Sequence, residues 1–135
     1  MASDLNLSIV GANAGVDAIC ALANTGYIRI YNGTQPTTPQ DAPGATLLAE
    51  LRFAATAFVG AISGVATAGA IVDDTDADNT GVAAWFRALK SDGTTVLWDG
   101  TVGTSGCDLN LNSVAISQHA KVSVTGMTFT WPKGY

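Results

Sequence analysis

The sequence predicts an all-β protein, an antiparallel β-sandwich of jelly-roll type with one short N-terminal helix. Three observations predict it. Short runs of alternating apolar and polar residues recur along the 135 residues. Gly, Pro, Asn and Asp clusters separate these runs, with 15 glycines in all. Apolar residues fall convincingly at helical spacing in a single stretch, Asn13 to Asn24.

Taken in order, Met1 to Gly11 alternates Leu5, Leu7 and Ile9 with Asn6, Ser8 and Val10, as a strand or an extended arm would. From Asn13 to Asn24, Val16, Ile19, Cys20 and Ala23 share a helical face. Asn13 is placed to cap its start, and Gly26 is placed for a left-handed stop. Tyr27 to Tyr31 is a β-branched and aromatic alternation ended by Asn32-Gly33, with Ile28 and Ile30 on one face. Pro36, Pro39 and Pro43 make residues 34–45 a surface loop. Thr46 to Phe53 resumes a strand, with Leu47, Ala49, Leu51 and Phe53 on one side. Asp73 to Gly81 is an acidic loop. Val82 to Lys90 and Thr94 to Trp98 then form a hairpin around Ser91-Asp92-Gly93. Gly100, Gly103 and Gly106 read as turn residues, and Asp108 to Ser117 alternates again. Lys121 to Trp131 is the last strand, with a bulge expected at Gly126.

The length and the 47% hydrophobic content suit one domain that builds a core without metals or disulfides. Residues 13–135 form the sandwich, and residues 1–12 form an N-terminal arm or edge strand. Charged residues make up 13% of the chain, about half the usual quarter. Part of the exterior is therefore expected to be covered by copies of the chain or by a partner. The net charge of −5 has the wrong sign for neutralising phosphates, which argues against a nucleic-acid partner. Asp4 precedes every apolar stretch and the first cation is Arg29, a pattern unlike a secretory signal. Synthesis and folding in a reducing cytoplasm are expected, with Cys20 and Cys107 as buried free thiols.

Phe53 to Val72 runs twenty residues without a charge and contains Gly60 and Gly64 as a GxxxG. A membrane helix is nonetheless not expected. Seven of the twenty are large apolar residues and seven more are alanine, and no Trp, Tyr or Lys anchors flank the run. Two short strands, around Ala57 to Val59 and Gly64 to Val72, joined by a Gly and Ser turn, explain it better.

His119 is the lone histidine and sits in a turn, with Ser117 and Ser123 near but no carboxylate in its sequence neighbourhood; Asp108 is a candidate spatial partner. Asp74, Asp76 and Asp78 match the first, third and fifth positions of an EF-hand loop. The register then fails, with Asn79 where Gly is required and Trp85 where Glu is required. Solvated aspartates that keep a sheet edge from pairing are the simpler reading. Trp85, Trp98 and Trp131 are candidates for a sugar platform, but packing ranks above it, since tryptophans at strand positions are ordinary core and interface anchors. No enzyme activity, cofactor or metal is expected.

Several phrases carry a resemblance. Gly26-Tyr27-Ile28-Arg29-Ile30-Tyr31-Asn32-Gly33, Trp85-Phe86-Arg87 running into Ser91-Asp92-Gly93-Thr94, and Asp99-Gly100-Thr101-Val102-Gly103-Thr104-Ser105-Gly106 followed by Asp108-Leu109-Asn110-Leu111-Asn112 resemble a family of small tailed-phage and prophage virion proteins. The likeness is nearest to capsid cement (decoration) proteins of jelly-roll fold and spans about residues 13 to 131. Cys107 departs from it, standing where a small residue such as Ala is expected. The tail from Trp131 to Tyr135 also lies outside the pattern.

The resemblance implies a non-enzymatic protein on the capsid surface of a virion, made in the host bacterial cytoplasm. Such a protein binds the major capsid protein, bridges neighbouring subunits and resists internal pressure. Many weak contacts across a lattice suit it. The contact candidates are Leu5, Leu7 and Ile9 in the arm, with Trp131 and Tyr135 in the tail. Self-association as a homo-oligomer is also expected, a two-fold dimer before a trimer. The alternatives are a neck, tail or fibre component, or a sugar-binding β-sandwich.

Overall fold

The computed structural model describes residues 5–131. Among them are one helix, α1 (Ile9–Ala21), and ten strands: β1 (Tyr27–Tyr31), β2 (Leu47–Phe53), β3 (Val65–Thr67), β4 (Ile71–Val72), β5 (Gly81–Val82), β6 (Trp85–Leu89), β7 (Val96–Gly103), β8 (Leu109–Leu111), β9 (Ala115–Ile116) and β10 (Val124–Thr130). The protein is all-β with one short helix, as the alternation requires. Eight strands form one sheet in the order β3-β10-β8-β7-β6-β1-β2-β4, while β5 and β9 form a separate ribbon.

That order forces the sheet to curl. Laid flat, eight strands span about 34 Å from first to last, at about 4.8 Å per gap. Yet β3 and β4 are the two edges, and only residues 68–70 separate them. Four Cα steps reach at most about 14 Å, so the two edges come together and the sheet wraps into a sandwich-like, nearly closed body. The interior holds Ile28, Ile30, Leu51, Phe53, Phe86, Ala88, Leu109, Leu111 and Met127, all buried. Val16, Cys20 and Ala23 of the helical segment join the same core.

All pairings are antiparallel except one: β7 and β8 run parallel, with Val102 opposite Leu109. Residues 104–108 double back to allow it. Gly106 adopts φ +69°, and the Asp108 carboxylate accepts hydrogen bonds from the Thr101 N–H and hydroxyl, each at 3.0 Å. The register shift between Val124 and Gly126 supplies the bulge expected at Gly126. Gly100 is no turn residue; it lies inside β7, where a Cβ would come 2.5 Å from the ring of Phe86.

The outer face of β2-β1-β6-β7 is stitched by directly opposed residues. Arg29 pairs with Glu50 at 2.7 Å, Arg52 lies over the Tyr27 ring, and Tyr31 stacks on Trp85 with centroids 4.6 Å apart. Arg87 donates twice to Asp99, at 2.7 and 3.0 Å, and both side chains are buried. The free edge of β2 is covered by the acidic loop. Asp78 and Asn79 donate backbone N–H groups to the Leu48 carbonyl, and Asp74 Oδ2 accepts from the Glu50 N–H. The aspartates thus fill an edge that would otherwise be open to strand addition.

The β6–β7 turn is held by Asp92, whose carboxylate accepts from the N–H groups of Thr94 and Thr95 and from the Thr95 hydroxyl. Those bonds hold its pKa well below the ordinary carboxylate value. A group so depressed contributes stability that is present above the ordinary aspartate pKa of about 4 and lost as the pH falls below it. Melting curves of Asp92→Asn are therefore expected to fall less steeply between pH 5 and pH 3 than those of the parent. Parallel slopes would show that the turn bonds do not couple to folding.

Two readings of the N-terminal region need correction. The helix starts four residues before Asn13, because Ser8 caps it: its hydroxyl accepts from the Gly11 N–H at 3.1 Å. Residues 5–8 lie in no strand and Ile9 opens the helix, so the described part of segment 1–12 is not an edge strand. At the other end, Thr25 and not Gly26 takes the left-handed conformation, with φ +58°. Gly26 is needed because a side chain there would run into the carbonyls of Leu89 and Ala23.

Candidate functional site

The uncharged run from Phe53 to Val72 folds largely as a hairpin, and no helix among the described residues is long and apolar enough to cross a membrane. Val59 donates to the Thr67 carbonyl, and Ile62 and Val65 exchange backbone hydrogen bonds. Ser63 (φ +52°) and Gly64 (φ +76°) form the turn between them, both left-handed as a type I′ turn demands.

Helix α1 lies along the outer strand of this hairpin and caps its edge with side chains. Asn13 Oδ1 accepts from the Gly64 N–H at 2.8 Å, Asp17 Oδ1 from the Ala61 N–H at 2.7 Å, and Asn24 Oδ1 from the Ala57 N–H at 2.8 Å. Positions 13, 17 and 24 recur at helical spacing, so one face of the segment supplies all three acceptors. Small residues let the pieces approach. A Cβ on Gly15 would meet the Trp131 ring at 2.5 Å, and the Ala12 methyl lies close beside Gly64.

This docking runs antiparallel, so the start of α1 lies at the Ser63-Gly64 turn, past the 59–62 stretch, which lies beside Asp17 and the second half of the helix. Leu5 (87% exposed), Leu7, Ile9 and Val10 stand out at and just before the start of α1, and Val59 and Ile62 (76% exposed) on the 59–62 stretch. Val59, Gly60, Ile62, Val65 and Thr67 line a shallow concavity of about 330 Å³. Residues 5–16 and 53–72 contain no Asp, Glu, Lys or Arg. Single exposed apolar residues, such as Leu22, Val72 and Val82, are ordinary, and several on adjoining uncharged segments make a candidate surface.

Leu5, Leu7 and Ile9 are all exposed. Trp131 is half-buried against α1, and its N–H donates to the Gly64 carbonyl at 2.8 Å, so it underpins the surface. Tyr135 lies outside the described residues. Val10, Val59 and Ile62 were missed. Val10 fell on the polar side of a strand alternation that is in fact a helix, and Val59 and Ile62 were hidden in a run whose question was membrane or strand.

The remaining candidates lie apart from this surface. His119, at φ +70°, pairs with Asp76 (Nδ1 to Oδ1, 2.6 Å), and both are 73% exposed. Asp108 is engaged by Thr101 instead. Asp78 is pushed above its ordinary pKa by burial and then by Asp74, Glu50 and Asp76. Even so, no three His, Cys, Asp or Glu side chains among the described residues gather as metal ligands would. Cys20 is buried, and burial together with Asp17 pushes its thiol up to about 12; Cys107 is half-buried rather than buried. Trp85 is buried on Tyr31, and Trp98 packs edge-on to Phe129 at 4.7 Å. The three tryptophans therefore share no platform for a sugar. Comparison with protein-family models, curated proteins and solved structures finds no match to this chain.

Proposed function

We propose that the chain is a bacteriophage capsid cement protein, which binds the outside of an assembled shell and bridges neighbouring major capsid subunits. One observation carries the reading: Leu5, Leu7, Ile9 and Val10 at the start of α1, and Val59 and Ile62 on the hairpin it docks against, are exposed on segments without charge. The resemblance of its strand and turn phrases to virion proteins supplies the class of partner. A copy that bridges two subunits makes its second contact at high effective concentration, so modest apolar contacts suffice for lasting attachment.

The proposal predicts that Ile9→Ser combined with Ile62→Ser weakens binding to purified shells by at least about a hundredfold, since burying each such side chain is worth about 1.5–3 kcal/mol. Pelleting with shells measures it, and circular dichroism checks that the β-sheet signal is unchanged. Undiminished pelleting would move the contact elsewhere. Copy number in purified virions, by quantitative mass spectrometry, separates cement from a neck, tail or fibre component. A number comparable with the major capsid protein is expected, and one comparable with the portal would assign the chain to the neck or tail.

A further inference from the structure

The seat of α1 suggests a way for two copies to join. Three side chains of the helical segment satisfy three backbone N–H groups of the 57–64 stretch, and Gly15 fits the Trp131 ring. Every copy carries the same seat, so a second chain's helix fits it with the same bonds. The helix itself is weakly built. Gly11 and Gly15 lower its propensity, its first turn has no acidic residue and its last turn no basic one, and it buries only Val16 and Cys20.

The connection to the body is strained. Residues 23–26 form a tight turn in which the Gly26 N–H donates to the Ala23 carbonyl, and Thr25 sits at φ +58°. A β-branched residue is unfavourable there. The Arg52 guanidinium donates to the Thr25 carbonyl and the Thr25 N–H donates to Ala54, which together hold the turn closed. Opening it to an extended hinge relieves the strain at Thr25 and frees residues 5–24 to reach another copy. A short strained hinge is the setting in which identical elements exchange.

We propose that α1 is an exchangeable element, and that two copies form a swapped dimer in which residues 5–24 of each chain dock on the 57–64 segment of the other. The exchange keeps the same three side-chain bonds, because each α1 still docks on a 57–64 stretch. Two acidic chains, each of net charge −5, then touch through segments almost free of charge. This inference does not depend on shell binding.

The test uses the full chain with Cys20→Ala and Cys107→Ala. One variant adds Asp17→Cys, a second adds Ala61→Cys, and a third carries both as a control. Mixed Asp17→Cys and Ala61→Cys chains, unfolded and refolded together at high concentration and then oxidised, are expected to give a covalent heterodimer. The third, refolded dilute, closes within itself. The parent chain refolded at high concentration is expected to sediment partly as a dimer. Thr25→Gly removes the strain from both hinges and raises the dissociation constant of that dimer by about thirtyfold. Sedimentation as a monomer throughout overturns the proposal. So do mixed chains that stay unlinked while the control closes internally, and a dimer indifferent to Thr25→Gly.

Discussion

Gly26→Ala is expected to recover as an unfolded or aggregated chain, or at best to melt some 12–20 °C below the parent, a loss of about 4 kcal/mol or more. The added methyl would lie 2.8 Å from the Ala23 carbonyl oxygen and closer still to that of Leu89. Both oxygens belong to backbone, so no side chain can swing aside. Gly26 N–H also donates to Ala23, and its carbonyl accepts from Phe53, which ties the position to β2 as well. Gly60→Ala is the control, because a Cβ there meets nothing within 4 Å and the position has no left-handed φ. It is expected to melt within a degree or two of the parent. Equal behaviour of the two variants in a thermal melt would refute the packing argument.

Asp99→Ala is expected to cost about 3–5 kcal/mol, because it strands a buried guanidinium. The Arg87 and Asp99 side chains are 5% and 1% exposed, and the two hydrogen bonds between them satisfy both. Hydrogen bonding to Asp99 holds Arg87 above its already high ordinary pKa, against the opposing effect of burial, and Asp99, Tyr31 and Asp41 add to it. Raised in this way, the group contributes stability at every pH below the ordinary arginine value. The Asp99→Ala loss is therefore expected to be the same at pH 6 and pH 9. The double change Arg87→Met with Asp99→Leu is expected to restore much of it, since apolar replacements of similar volume leave no charge behind. Chemical denaturation of the three variants measures both effects, and a double change no better than Asp99→Ala would refute the stranded-charge account.

What the sequence disclosed follows from how local each signal is. Tyr27 to Tyr31 was legible as a strand because its alternation and its Asn32-Gly33 stop lie within seven residues. The bulge at Gly126 was legible because the apolar phase changes there. The start of α1 was not, because Leu5, Leu7 and Ile9 alternate as a strand does, and Ser8 declares itself a cap only when Gly11 turns back onto it. Gly100 looked like a turn because the presence of the Phe86 ring across the sheet is a tertiary fact. At the candidate surface, Leu5, Leu7 and Ile9 could be named from exposure-prone alternation near a chain end. The hairpin that carries Val59 and Ile62 meets α1 through the acceptors of Asn13 and Asp17, whose targets lie 51 and 44 residues away.

The strand order also sets a timetable for synthesis. β10 is the last strand in the chain, yet it sits between β3 and β8 and is the only strand joining β3 to the large sheet. Until β10 has been made, β3 pairs only with the other arm of its own hairpin and the wrap cannot close. The earlier strands must wait with an apolar face uncovered, which is when a nascent β chain is most prone to pair wrongly. Closure of the wrap therefore waits on β10, whichever of the earlier strands have already paired.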